Sequence, residues 1–369
     1  MPITAFSKQL EGEFDVMQLL SKLSPQHDGE PDPTVIPQST REAIARDVVC
    51  PGCGAGNAKV VVAGQARRGA KRTVSQSHFR FDDHKLFCEF EDNATPSTLP
   101  DHLVDFRASR SAQTRLIGKR VSQGIELGIF SQGDMRRMRQ WFLELRIMHS
   151  YRCEVDEAFM LDFLALPYRG FASWHPRFHP SMRQLPNFNS SEVASTQFIE
   201  ENPEIFDLLE QHHPLHIGDR DSQARVISTV RRNLNQLIYD PSAAKDQFSQ
   251  VRQLANLVAG NEVDAKWRQH VSLRERTPQV SSLTAFCALL LFSHNWDMDK
   301  AVDAYVRIRI SGEPATINSG NIIGLNPFYD YDAWRLIAIA HQVKQLRPSG
   351  LNTRSRIEKV RQEFKAISP

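Results

Sequence analysis

At 369 residues the chain has room for roughly two or three domains, each able to bury its own core. Lysine and arginine total 45 against 43 acidic residues, so the net charge of +2 points to no partner by itself. A hydrophobic fraction of 41%, with a longest largely apolar run of only Leu283–Phe292, speaks against a membrane-spanning helix, which needs about 20 such residues.

The N-terminus lacks a basic region followed by an apolar one, so no secretory signal is expected. Five cysteines, two of them in one short motif, suit a reducing cytoplasm better than a disulfide framework. Residues 1–49 carry four basic and eight acidic side chains. FDVMQLLSKL has the pattern of a short amphipathic helix, and the proline-rich PQHDGEPDPTVIPQ after it reads as a linker. Residues 1–45 are therefore expected to form an arm and linker.

Residues 46–93 are expected to fold as a zinc-binding hairpin module. Cys50 and Cys53 form a C-P-G-C knuckle, in which Pro51 fixes a turn dihedral and Gly52 tolerates unusual ones. Lys59–Ala63 and Thr73–Phe81 read as strands, joined by the glycine-containing GQARRGAK turn. The second strand brings His78 back towards the knuckle, and Cys88 follows. Cys50, Cys53, His78 and Cys88 thus make a candidate set for a structural Zn2+, with His84 as an alternative ligand, because tetrahedral zinc takes thiolate sulfur and imidazole nitrogen.

The stretch 50–88 resembles the N-terminal zinc-binding module of the CoiA-like competence proteins. Cys50, Pro51 and Cys53, then His78 with Phe79, and Cys88 carry the resemblance; Phe81 stands where that family has a second histidine. The resemblance implies contact with nucleic acid, and a metal-dependent nuclease is the alternative function it brings with it.

NATPSTLPDHL reads as a second linker, leading into a basic helical pair over residues 104–152. From Asp105 to Arg152 ten basic residues face four acidic ones. Apolar residues recur at helical spacing from Leu116 to Leu127 and again from Trp141 to Met148, and Ser131 suits the N-cap of the second helix. Guanidinium forks grip phosphate oxygens in pairs, so Arg67 and Arg68 in the hairpin turn, with Arg136, Arg137 and Arg139, form the candidate nucleic-acid contact.

The remainder, 153–369, reads as an α-helical body. Cys153 to Ile217 is acidic, with ten carboxylates against three arginines, and its WHPRFH and HHPLH histidines lack a metalloprotease's helical spacing. Helical periodicity marks SQARVISTVRRNLNQLIYD, AAKDQFSQVRQLANLVAG, SSLTAFCALLLFSH, MDKAVDAYVRIRI, DAWRLIAIAHQVKQL and TRSRIEKVRQEFKAI, with Gly260 expected to end one of them. Asp83-His84 and Asp101-His102 match only the first part of an HNH nuclease motif, and no phosphate-binding loop or G-x-S-x-G elbow is present. The sequence therefore predicts a mainly α protein with a small β zinc-binding hairpin, a zinc-ribbon-like module ahead of a multi-helix body. It is expected to be cytoplasmic and to bind nucleic acid, DNA ahead of RNA, or a nucleoprotein partner, without membrane contact. A protein-interaction scaffold, its basic and acidic segments paired with each other, is the third reading.

Overall fold

The computed structural model describes residues 4–23, 32–62, 77–88, 90–91, 112–167, 189–212, 220–262, 278–314, 325, 328 and 331–366. It is mainly helical, as the sequence predicts, with three small antiparallel sheets among the described residues, of which only the hairpin that follows the knuckle was expected. The chain divides into two units, both discontinuous: residues 1–148 with 243–329, and residues 149–242 with 330–369. The helices of the expected 153–369 body are divided between both units. No helix among the described residues is long and apolar enough to cross a membrane.

The first unit opens with β1 (Thr4–Ser7) and β2 (Gly12–Asp15), followed by α1 (Val16–Leu23) and α2 (Gln38–Asp47). β1 is the central strand of a three-stranded sheet, paired with β2 on one side and with β3 (Val48–Val49) on the other. The N-terminal segment is therefore no separate arm. Ala5, Val16, Leu19, Leu20 and Ile44 share one core with Cys50, Cys53, Phe79, Phe81 and Cys88. β4 (Lys59–Val61) and β5 (His78–Arg80) form the expected hairpin, pairing Lys59 with Arg80, Val60 with Phe79 and Val61 with His78.

α3 (Ala112–Glu126) and α4 (Gln132–Met148) follow. Ser131 caps α4 reciprocally: Asp134 N–H donates to Ser131 Oγ at 3.1 Å, and Ser131 N–H donates to the Asp134 carboxylate at 2.7 Å. The unit resumes with α9 (Lys245–Glu262), α10 (Pro278–Ser293) and α11 (Met298–Ile310). α10 is apolar on every side, with Phe286 to Leu291 all at 0% exposure, and it is the hub against which α3, α4, α9 and α11 pack. Trp141 of α4 lies 5.8 Å from Phe292 and 5.4 Å from Trp296, ring centre to ring centre. α9 runs through Gly260 rather than ending there.

The second unit contains β6 (Ser150–Arg152), α5 (Glu157–Leu164), α6 (Ser190–Glu200), α7 (Pro203–Gln211), α8 (Arg220–Asn233) and β7 (Leu237–Tyr239). The helix expected through Asp240 stops at Asn233. Asn235, at φ 62°, turns the chain, and Leu237–Tyr239 pairs with β6 instead. α12 (Tyr331–Leu346) and α13 (Thr353–Ala366) complete the unit, and Leu336, Ile337, Ile339, Ala340 and Val343 of α12 bury themselves with Phe159, Phe163, Phe206 and Val230.

Candidate metal centre

β3 runs directly into the knuckle. Cys50 N–H donates to the Ala55 carbonyl at 2.8 Å, and Gly54 N–H returns to the Cys50 carbonyl at 3.0 Å, so the turn folds both thiols inward. Gly54 sits at φ 75°, a conformation that glycine reaches without strain. At Gly52 the Phe90 ring lies so close that a Cβ would approach it to 2.8 Å. The second pair arrives from the turn beyond β5. Cys88 N–H donates to the Lys85 carbonyl at 3.0 Å, and Phe87 holds φ 63°, an uncommon backbone state for a bulky residue.

Cys50, Cys53, His84 and Cys88 converge here, with their candidate ligand atoms all within 4.8 Å of one another. The Cys50 and Cys88 sulfurs are 3.7 Å apart, and Cys53 Sγ is 3.3 Å from His84 Nδ1. A tetrahedral ion with metal–sulfur bonds of about 2.3 Å and a metal–nitrogen bond of about 2.0 Å would set two sulfurs about 3.8 Å apart and a sulfur and nitrogen about 3.5 Å apart. The four side chains therefore fit one metal ion.

The fourth member is His84, the residue read from sequence as the alternative to His78. His78 lies on β5 opposite Val61, outside the cluster. Side chains alternate along a strand, and β5 delivers Phe79 to the module core; the turn after the strand is what passes over the knuckle. Phe81 stays buried and meets the His84 ring edge-on at 5.7 Å. The H-x-x-x-C spacing of His84 and Cys88 was the available signal.

The electrostatics are those of three thiols crowded around one imidazole. Hydrogen bonds from Cys50 and Cys88 hold the Cys53 thiol far below its ordinary value, whereas the same crowding, with burial added, pushes the Cys88 thiol far up. Burial alone would lower His84, but hydrogen bonds and charge from Cys50 and Cys53 override it and push the imidazole up to about 10. Without a metal, the cluster thus keeps protons that a divalent ion would displace. The other two cysteines are chemically quiet: Cys153 and Cys287 are fully buried, and burial raises both thiols.

The α4 arginines expected to contact phosphate do not share one surface. Arg67 and Arg68 lie outside the described residues. Arg139 is buried, and its Nη1 donates to Glu13 Oε2 at 2.7 Å with both side chains 2% exposed, so it is unavailable to phosphate. Arg136 is half-buried, with its guanidinium 4.7 Å from the centre of the Phe6 ring. Arg137 alone of the α4 trio is open to solvent, at 64% exposure, paired with Asp134 in the turn before it. Arg146 lies over Phe87 and Phe142 at 5.3 and 5.2 Å. Positions 136, 139, 143 and 146 follow one helical stripe, and Leu143 on that stripe belongs to the core of the knuckle module.

No family model matches the chain, and neither a curated protein nor a solved structure matches it.

Proposed function

We propose that the protein carries one structural Zn2+ on Cys50, Cys53, His84 and Cys88, and that this zinc-stapled module binds nucleic acid, DNA first among the candidates. The observation that carries the zinc reading is the convergence of four soft ligand atoms within 4.8 Å. Three thiols and an imidazole suit zinc over a hard cation, and the ligand cysteines are at most 4% exposed, which suits a closed structural site over a catalytic one. The module is small and its strands are two to four residues long, so a metal compensates for the limited core such a hairpin builds. Five cysteines without a disulfide support a reducing compartment such as the cytoplasm.

The nucleic-acid reading rests on the hairpin that this centre roots. Residues 63–76, which connect β4 to β5, contain Arg67, Arg68, Lys71 and Arg72 and no acidic side chain. Exposed Arg137 adds to the same unit, while Arg136 and Arg139 are withdrawn from the reading because the fold occupies them.

Metal analysis of the purified chain comes first, with one zinc per chain expected. Fluorescence anisotropy with labelled duplex DNA, single-stranded DNA and RNA follows, at two salt concentrations. Each phosphate contact contributes about 0.9 to the slope of log affinity against log salt on duplex DNA, so Arg67→Ala/Arg68→Ala should lower that slope by about 1.8. Absence of binding at low salt removes the nucleic-acid function and leaves the metal as a staple on an interaction protein.

A further inference from the structure

Arg136 is the cation on α4 that the fold leaves without an anionic partner of the ordinary kind. It is half-buried, its Nε is sealed from solvent with no hydrogen-bond acceptor, and no carboxylate among the described residues pairs with it. Its neighbours on the helix differ in this respect: Arg137 has Asp134 and Arg139 has Glu13. A guanidinium held partly out of water needs a counter-charge nearby. The guanidinium lies against the tip of the knuckle, where a Cβ on Gly54 would stand 3.6 Å from Arg136 Nη2. Burial lowers the Arg136 guanidinium, and a negative charge on the Cys50 sulfur would draw it back up.

We infer that Arg136 is the outer-shell counter-charge of the metal centre, matched to a divalent ion held by three thiolates and one neutral imidazole. The inference rests on the metal reading above. Such a centre carries a net charge of −1, and the guanidinium brings the assembly to neutrality inside a buried module. A monovalent ion in the same ligands would leave one negative charge uncompensated, so Arg136 favours divalent occupancy. Phe6 helps to hold the group in place: the guanidinium lies over its ring, 4.7 Å from the ring centre. Arg136 is a positioning and charge-balancing residue, and it touches no ligand exchange directly.

The test is a Co2+ titration of the full-length, metal-free chain, read by the sulfur-to-cobalt charge-transfer absorption and by competition with a chelator. Outer-shell partners are typically worth about 10–100-fold in metal affinity, so Arg136→Met should weaken Co2+ binding by that factor. Arg136→Lys keeps the charge and loses the planar stack, and it should restore most of the affinity. Arg137→Met, at an exposed position away from the knuckle, should match the wild type. A merely structural role would make Lys and Met equally weak, and that result overturns the inference, as does wild-type affinity in Arg136→Met. Should Arg136→Met not fold by circular dichroism, Arg136→Gln takes its place, with Gln weaker than Lys in support and Gln equal to Lys against. A wild type that gives no tetrahedral thiolate spectrum with Co2+ sinks the metal reading itself, which separates the two failures.

Discussion

The buried pair of Glu13 and Arg139 joins the N-terminal sheet to α4, and its substitution gives a calculable effect. The two side chains meet at 2.7 Å with only 2% of each exposed, Thr4 Oγ1 also donates to Glu13, and Gln132 Oε1 accepts from Glu13 N–H at 2.7 Å. Removing one charge leaves the other buried without its partner, which costs about 3–5 kcal/mol. Arg139→Met and Glu13→Gln should each lose that much. The double variant Glu13→Gln/Arg139→Met buries no net charge, so it should be less damaged than either single change, with a coupling of about 2 kcal/mol or more. In urea, with a slope of about 2–3 kcal/mol per molar, the single variants should unfold roughly 1–2 M earlier than the wild type. Single variants within about 0.5 kcal/mol of the wild type would behave as surface substitutions do and would refute the buried-pair argument.

Chelation of the bound metal should loosen the knuckle module more than the second unit, seen as faster amide exchange across Val48–Val61 than in α12, and Cys50→Ser should reproduce it in the absence of chelator. Metal affinity should climb steeply with pH, because His84, pushed up to about 10, and Cys88, pushed up as well, keep protons without metal that binding must displace. At least these two protons must leave, so Co2+ competition should show a gain of roughly a hundredfold or more per pH unit between pH 6 and 8, and a flat profile would show that the cluster binds without deprotonation. In the second unit, Asp156 caps α5 by accepting from Phe159 N–H at 2.8 Å and pairs with Lys344 at 3.2 Å, so Asp156→Ala should cost about 1 kcal/mol by chemical denaturation. The Phe159 N–H, then Lys344, holds the Asp156 carboxyl below its usual range; its contribution is present above the unfolded carboxyl value and is lost as pH falls through the depressed folded one, so wild type and variant should converge in strong acid.

The knuckle was legible because C-P-G-C fixes its own turn chemistry, and Cys88 followed as the only other cysteine within reach of it. The choice between His78 and His84 was not, because residue spacing does not say whether a strand or the turn beyond it crosses the site. The two N-terminal strands, four residues each, are too short for periodicity to register, and Glu13 and Asp15 of β2 read as surface residues. Glu13 is in fact buried, and the residue that allows it, Arg139, is 126 positions away. The arginine excess of α4 was correctly counted but wrongly faced: Arg136, Arg139 and Arg146 share the stripe of Leu143, which marks them as partners of a core. In β7, tertiary pairing with β6 overrides a helical pattern that periodicity alone had extended to Asp240.

The interleaving of the two units bears on how the chain is made. All four candidate metal ligands and the core around them lie between Ala5 and Leu143, so a ribosome has emitted everything this module needs once α4 has cleared the exit tunnel. The rest of the same unit waits. Phe292 and Trp296, which pack against Trp141, come about 150 residues after it. At the 5–20 residues per second typical of translation, that interval is on the order of ten seconds or more, during which a completed N-terminal module and an uncovered tryptophan coexist on one growing polypeptide.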